Sequence, residues 1–236
     1  MSLFLIFVFL FCVGSIIGWI LELFWRRFEY KKWVNPGFLI GPYLPIYGFG
    51  LVIITLIHLF IGQYNLNPII TIVLMGLCMT LLELITGLFF LKFKVRLWDY
   101  SNYFLNFKGV ICFHMSLIWT GLGALYYYFL ADYVMKALAW FSNNISFSYV
   151  LGIFTGVIVI DFAFSTKLYK KIRRYAKKNN IVIMYENLKL HIRNIVEKSE
   201  EKYSFLLPFK QTRNLLEYLV GYKPEIPKKN GKKAKK

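Results

Sequence analysis

Long apolar runs recur along this chain, and they constrain its fold more than any other feature of the sequence. Most are close to the roughly 20 residues that a helix needs to cross the hydrocarbon core of a membrane. Hydrophobic residues make up 58% of the chain, above the roughly 45–50% of an ordinary soluble domain. We therefore predict an all-α, polytopic membrane helix bundle with about five transmembrane helices. The runs cover approximately residues 2–24, 46–61, 69–91, 109–130 and 147–165.

Lys and Arg are distributed unevenly among the loops that join these runs. The loops at residues 26–32 and 92–108 each carry four of them, whereas residues 62–68 carry none and the loop after the fourth run carries only Lys136. Cytoplasmic loops are enriched in Lys and Arg. The alternation predicts a multi-pass protein of the cell (cytoplasmic) membrane, with its N-terminus outside and its C-terminus in the cytoplasm.

The C-terminal part of the chain is strongly basic. Of the net charge of +17, residues 167–236 contribute +14, from twenty Lys and Arg against six Glu. Apolar residues at helical spacing predict amphipathic helices, with a break at Asn179–Asn180 and a further helix near residues 211–220. We therefore expect three parts, which are a transmembrane bundle at 1–166, cytoplasmic amphipathic helices at 167–222, and a disordered basic tail at 223–236.

The basic tail predicts attraction to anionic membrane lipid. Nucleic acid is not an expected partner, because the tail does not interleave aromatic and basic residues on a recognisable module. The three cysteines lie in apolar runs without metal-ligand spacing, so neither a metal nor a disulfide framework is expected. The sequence also lacks a P-loop, an H-E-x-x-H motif and a G-x-S-x-G motif, and no cofactor is predicted.

The segment from Asn35 to Gly50 contains three prolines and four glycines, which a regular helix would not accommodate. One interpretation is a re-entrant or broken start of the second span, with free backbone groups and the side chains of Asn35 and Tyr47 facing a polar pocket. The other is a surface turn that leads into a proline-initiated helix. The residues themselves leave both open.

The loop from Arg96 to Ser101 combines an Arg, an Asp and two aromatic residues. Taken alone, this pattern favours an interfacial anchor, in which Arg96 pairs with Asp99 while Trp98 and Tyr100 lie at the lipid headgroups.

Glu83 is the most unusual residue of the apolar runs. It lies about eight residues inside the third span, or roughly 12 Å at 1.5 Å per residue. A carboxylate at that depth is costly, and such residues usually have a function. The predicted topology places Glu22 and Asp161 in the same cytoplasmic half, with Thr86 one turn from Glu83. We therefore expect a cytoplasm-facing polar cavity around Glu83, whereas His58 and His114 are more typical of structural histidines.

Two spans contain a G-x-x-x-G motif, Gly14–Gly18 and Gly152–Gly156. The motif permits close approach of helices. It predicts packing within the bundle, and homo-oligomerisation is the alternative.

An ordered set of motifs resembles the CmpB family of bacterial membrane proteins, which are described as type IV ABC-transporter permeases. Pro36, Leu44 and His114 depart from the family pattern. The resemblance covers roughly residues 10–160 and implies a membrane bundle and an ABC ATPase subunit as partner. The motifs are Gly18–Glu22, Asn35, Gly37–Pro42, Pro45–Gly50, Glu83 with Thr86–Gly87, Arg96–Ser101, Asn106, Gly109, Ile111–Cys112 and Ser116–Trp119.

Three hypotheses follow for the function. The first is a permease or transport-associated subunit, which would take energy from ATP only through a partner chain. The second is a membrane-embedded enzyme for a lipid or prenyl substrate, with Glu83, Asp99 and Asn106 in acid–base or metal chemistry. The third is a non-catalytic scaffold or regulator whose tail recruits a partner. The candidate site residues are Glu22, Asn35, Tyr47, Glu83, Thr86, Arg96, Trp98, Asp99, Tyr100, Asn106 and Asp161.

Overall fold

The computed structural model describes residues 2–62, 64, 67–198, 215–220 and 222. Within these residues the chain is mostly helical, which confirms the all-α prediction. The helices are α1 (Leu3–Tyr30), α2 (Pro45–Gly62), α3 (Pro68–Lys92), α4 (Phe113–Leu125), α5 (Ala131–Asn143), α6 (Ser148–Lys178), α7 (Tyr185–Lys198) and α8 (Leu215–Val220). Two short strands, β1 (Val95–Arg96) and β2 (Ile183–Met184), pair in parallel.

Three stretches among the described residues are long and apolar enough to cross a membrane, namely Leu3–Tyr30, Pro68–Lys92 and Ile145–Lys178. Pro45–Ile61 is a shorter apolar helix. Large side chains such as Ile160 and Phe164 of α6 face outward, which suits a lipid solvent. The coarser prediction of an apolar helical membrane protein is therefore confirmed.

Local sequence explains where the apolar helices start. Asn67 caps α3, since its Oδ1 accepts a hydrogen bond from the Ile69 backbone N–H at 2.9 Å, and Pro68 follows at the first helical position, where a missing N–H costs nothing. Helix α2 likewise begins at Pro45. The predicted spans at 46–61 and 69–91 agree with these helices to within a residue or two.

The prediction for the fourth run was wrong at both ends. Its helix begins only at Phe113, because the chain turns through Lys108 and Gly109, which both have positive φ. The predicted connection after Asp132 is instead helix α5, which five π-helical residues at Tyr126–Leu130 join to α4. The polar residues of α5 lie on one face, while Phe141 stacks on Phe9 of α1 with ring centroids 4.8 Å apart.

The predicted fifth span and the first tail helix form one continuous helix, α6. The expected boundary between bundle and tail at residues 166 and 167 therefore falls inside a helix. Helix α6 ends at Lys178 with Asn179 as its C-cap, and Asn180 adopts a positive φ of 49°, which agrees with the break predicted at this pair. Helix α8 covers part of the predicted helix at 211–220. The disorder predicted for residues 223–236 lies outside the described residues.

The tail has a hydrophobic core of its own, which we call the tail core. The end of α6, helices α7 and α8, and the β1–β2 pair form it around Ile172, Leu188, Ile192 and Leu219, all of which are fully buried. Val95 of β1 also belongs to this core, so the tail packs directly on the loop that follows α3. The tail is therefore a folded extension of the bundle.

Candidate functional site

Glu83 lies on the inner face of α3 and is only 3% exposed. Two neutral donors hold its carboxylate. The Tyr100 hydroxyl donates to Oε1 at 3.0 Å, and the Trp119 indole N–H donates to Oε2 at 3.0 Å. None of the ion pairs found between described residues includes Glu83. Among the described residues, the buried carboxylate of Glu83 is therefore stabilised by hydrogen bonds and not by an ion pair.

Glu22 of α1 is connected to this carboxylate through Tyr47 and Trp119. Its Oε1 is 2.7 Å from Nη2 of Arg26, and its Oε2 accepts a hydrogen bond from the Tyr47 hydroxyl at 2.9 Å. The rings of Tyr47 and Trp119 have centroids 5.9 Å apart. Five segments of the chain, α1, α2, α3, α4 and the loop after β1, therefore meet at one cluster. We call this cluster the polar centre and define it as Glu22, Tyr47, Glu83, Tyr100 and Trp119.

Gly18 makes room for Tyr47 in this cluster. A Cβ atom on Gly18 would lie 2.2 Å from Cβ and Cγ of Tyr47, far inside van der Waals contact. One turn earlier, a Cβ on Gly14 would lie 2.9 Å from the backbone oxygen of Tyr47. The first G-x-x-x-G motif therefore packs α1 against α2 within the bundle.

The loop after β1 positions Tyr100 at Glu83. Arg96 pairs with Asp99, as the sequence predicted, and donates from Nη2 to the Lys108 carbonyl at 3.0 Å. The Trp98 indole N–H donates to the Val110 carbonyl at 2.8 Å, so the polar atoms of Trp98 and Tyr100 bond within the protein. These contacts make the loop a rigid support for the polar centre.

Asn106 closes the same loop. Its Nδ2 donates to the carbonyls of Ser101 and Tyr103, and its Oδ1 accepts from the Gly109 backbone N–H at 3.2 Å. Gly109 is required here, because its φ is +69° and a Cβ would lie 2.5 Å from Oδ1 of Asp99. Asn106 and Asp99 thus bond to the loop itself.

Asp161 of α6 holds the Pro/Gly-rich segment. Its carboxylate accepts hydrogen bonds from the backbone N–H groups of Ile40 and Gly41 and from the Tyr43 hydroxyl, the last two at 2.7 and 2.6 Å. Ser165 adds a fourth donor at 2.8 Å. The segment is therefore an irregular, well-bonded loop ahead of a proline-initiated helix. The described hydrogen bonds of Asp161 go to this loop and to Ser165, and none of them reaches the polar centre.

Asn35 belongs to the same loop. Its Oδ1 accepts from the Trp19 indole N–H at 2.7 Å, and its Nδ2 donates to the Ile40 carbonyl at 2.6 Å.

The sequence singled out three further polar residues of the apolar helices. Thr86 is half-buried on α3. His114 is exposed and stacks on Tyr103, with ring centroids 6.0 Å apart, and His58 packs against Tyr126. These contacts fit the structural roles predicted for both histidines.

Sequence reasoning did not select three residues of α1 and the tail. The Nε atom of Arg26 lies 2.8 Å from Oε1 of Glu186, and the Nζ atom of Lys189 donates to the carbonyls of Asn35 and Gly37, both at 2.8 Å. Burial raises the pKa of Glu186 to about 7 and lowers the pKa of Lys189 to about 7. The sequence did contain a signal for Lys189, because this charged residue falls on the apolar stripe of α7 one turn after Tyr185. A lysine in such a position is expected to be buried and to bind a partner.

A comparison with protein families gave a match that covers most of the described bundle. Residues 9–166, more than half of the chain, match the model of the CmpB family, whose description is "Putative ABC-transporter type IV". Neither the comparison with curated proteins nor the comparison with solved structures gave a match. The matched range includes every residue of the polar centre and both loops around it. The chain is an ABC-transporter-related membrane protein and belongs to the CmpB family.

Proposed function

We propose that the chain is a permease or transport-associated subunit of an ABC-type system, and that the polar centre contacts the transported substrate. The observation that carries this proposal is the buried carboxylate of Glu83 in an apolar helix, which accepts hydrogen bonds from two neutral donors and forms no ion pair within the described part of the chain. Ionisable groups inside membrane spans are expensive and typically line substrate or ion pathways. The family match supports the transport class.

The position of Glu83 suits a site that senses its occupant. Its two donors come from different segments, Trp119 from α4 and Tyr100 from the loop after β1. A substrate group that bound Glu83 would compete with these donors. Binding would then shift α4 and the loop relative to α3, so occupancy would be transmitted to the surface of the protein.

The proposed topology has five spans, formed by α1, α2, α3, the joined α4–α5 segment and α6. The N-terminus lies outside and the C-terminus in the cytoplasm, as the Lys and Arg of the loops indicate. The transmembrane bundle extends over residues 1–166, and the tail core, which residues of 167–222 form together with β1, lies on the cytoplasmic side. We further propose that an ABC ATPase binds on that side and that the tail charge attracts anionic lipid.

The loop contacts favour transport over the enzyme hypothesis for Glu83. That hypothesis grouped Glu83 with Asp99 and Asn106. Asp99 bonds to Arg96 and Ser101, and Asn106 bonds to carbonyls of its own loop. Both residues therefore act as supports of the loop that delivers Tyr100.

The first test is purification from native membranes in mild detergent, with mass spectrometry of the proteins that co-elute. We expect an ABC ATPase in a fixed stoichiometry. A homogeneous preparation that contains no ATPase would overturn the permease proposal.

The second test compares two variants of the purified complex in nanodiscs. We expect Glu83→Gln to keep its membrane insertion and its partner but to lose coupled ATPase activity. The matched control is Asp132→Asn, which neutralises an exposed carboxylate on α5 and should retain activity. Full activity of Glu83→Gln would remove this residue from the function.

A further inference from the structure

Helix α7 lies along the loop that follows α1. Four of its residues, each one turn from the next, contact successive positions of this loop. Tyr185 donates to the Phe38 carbonyl, Lys189 to the carbonyls of Gly37 and Asn35, Arg193 to the Trp33 carbonyl, and Glu197 accepts from Lys32. One face of the tail helix is therefore matched to this loop over its whole length.

Lys189 is the central contact of this face. It is 2% exposed, and its Nζ atom supplies hydrogen bonds to two carbonyls of an irregular backbone segment. Buried carbonyl groups need such partners. Asn35, whose carbonyl Lys189 binds, also accepts from Trp19 of α1 through its side chain, so Lys189 anchors the tail to a candidate site residue.

Glu186, on the adjoining side of α7, connects to the polar centre through charged groups. Its carboxylate lies 2.8 Å from Arg26, and Arg26 lies 2.7 Å from Glu22. Glu22 in turn accepts the Tyr47 hydroxyl at 2.9 Å. Arg26 thus pairs with Glu186 of the tail and Glu22 of the polar centre, and also with the exposed Glu29 of its own helix at 3.2 Å. Glu186 therefore competes with Glu22 and Glu29 for the Arg26 guanidinium.

We propose that Glu186 and Lys189 are positioning residues for the polar centre, and that the permease functions with the tail helix α7 docked on the loop after α1. Docked α7 holds Arg26 and the Asn35 segment in place, and these hold Glu22 and Tyr47. Undocking of α7 releases Arg26 and the Asn35 segment, so docking of the tail regulates the polar centre. The regulatory part rests on the proposed transport function, whereas the positioning can be tested without it.

Hydrogen–deuterium exchange of the full chain in nanodiscs tests the positioning. Above pH 7, where Glu186 is ionised and pairs with Arg26, we expect Glu186→Gln to raise exchange at residues 44–50, which include Tyr47, by about tenfold. Lys189→Met should raise it at residues 35–41. The control Glu197→Gln breaks contacts of the same helix to Lys32 and Arg193, and its effect should stay within residues 31–33 and 193–198.

A double-variant comparison separates positioning from simple loss of tail packing. If Glu186 acts through Arg26, the Arg26→Gln/Glu186→Gln pair should exchange at residues 44–50 no faster than Arg26→Gln alone. Independent structural effects would add. Unchanged exchange at residues 44–50 in Glu186→Gln, or additive effects in the pair, would overturn the proposal.

If Glu186→Gln unfolds the tail core, the variant Glu186→Asp tests the proposal in its place. It keeps the charge but shortens its reach to Arg26, so residues 44–50 should show a smaller rise while residues 169–176 stay protected. A rise confined to α7 would overturn the proposal. These readings need neither substrate nor ATPase, so they succeed or fail independently of the transport function.

Discussion

Helices α1 and α6 carry the same motif and use it differently. Gly14 and Gly18 of α1 face α2, and a Cβ at either position would collide with Tyr47, Gly48 or Leu51. Gly152 and Gly156 of α6 have nothing within 4 Å of a Cβ. The comparison teaches that G-x-x-x-G permits a close approach, but the surface that faces it decides whether one occurs.

The two helices are also held by different forces. Helix α1 joins the bundle through close packing of backbone and rings against α2. The C-terminal end of α6 packs in the tail core, whereas its apolar part is attached to the Pro/Gly-rich loop through Asp161, which accepts hydrogen bonds from that loop. Packing of this kind is sensitive to volume, and a hydrogen-bonded attachment is sensitive to the loss of its acceptor. Each helix should therefore fail under a different substitution.

The largest expected effect is that of Gly18→Leu. The new side chain overlaps the ring of Tyr47 and separates α1 from α2, which should cost about 3 kcal/mol or more. Thermal unfolding and gel filtration in detergent would measure the loss. Gly152→Leu is the matched control on α6, and equal destabilisation by the two variants would break the comparison.

Asp161→Ala should have the next largest effect. It leaves buried backbone and hydroxyl donors of the loop without their acceptor, at a cost of about 2–3 kcal/mol. Hydrogen exchange at residues 38–44 would report the loosened loop. Asp132→Ala, on an exposed position of α5, is the control. Protection of residues 38–44 in Asp161→Ala would show that packing alone holds α6.

A pH titration sharpens the comparison at the polar end of α1, where Arg26 meets Glu186. Burial raises the pKa of Glu186 from 4.5 to about 7, so docked α7 binds more protons than undocked α7 within this window. Docking should therefore weaken as pH rises from 4.5 to 7. The charged groups that face Glu186 are Arg26, Glu22, Glu29 and Lys189.

Lys189 acts in the opposite direction. Burial lowers its pKa from 10.5 to about 7, so docking should strengthen as pH rises from 7 to 10.5, and the weakest docking is expected near pH 7. Exchange at residues 185–198, corrected for its intrinsic pH dependence, would measure this. Glu186→Gln should remove the acidic limb and Lys189→Met the alkaline limb. Persistence of both limbs in these variants would contradict the assignment.

The smallest effects are expected on the open face of α6. Gly152→Leu and Gly156→Leu introduce side chains that meet no neighbour, so the free energy of unfolding should change by no more than about 1 kcal/mol, with any gain due to helix propensity. The apparent mass in detergent should also be unchanged. A lower mass would show that α6 packs against a second copy of the chain.

The apolar helices could be predicted from the sequence wherever a strong terminator bounds an apolar run. Pro45, Asn67–Pro68 and Lys92 mark the ends of α2 and α3 almost to the residue. Helix α5 was missed because Asp132 and Lys136 resemble loop residues until one face of the helix is known to pack. The fusion of the fifth span with the tail was missed because polarity changes at residue 166 while helix propensity does not.

The candidate site was predictable at Glu83, because a lone carboxylate in an apolar run is a strong signal. Its donors Tyr100 and Trp119 are distant in sequence, and only the packing of α3 on α4 and on the loop brings them together. Depth in the membrane could be inferred for Asp161, but the rotation of α6 could not, so its actual partners in the loop were not foreseen. Only these three-dimensional contacts assign each acidic group to its neighbours.

The parallel pairing of β1 with β2 has a consequence for biogenesis. Val95 pairs with Ile183 and Arg96 with Met184, yet translation delivers β1 long before β2. During synthesis the helices from α1 to α6 emerge before the strand that completes the loop after α3. Until then β1 presents unpaired backbone groups, which attract other extended segments. A chain that terminates ahead of residue 183 therefore keeps the edge of β1 open.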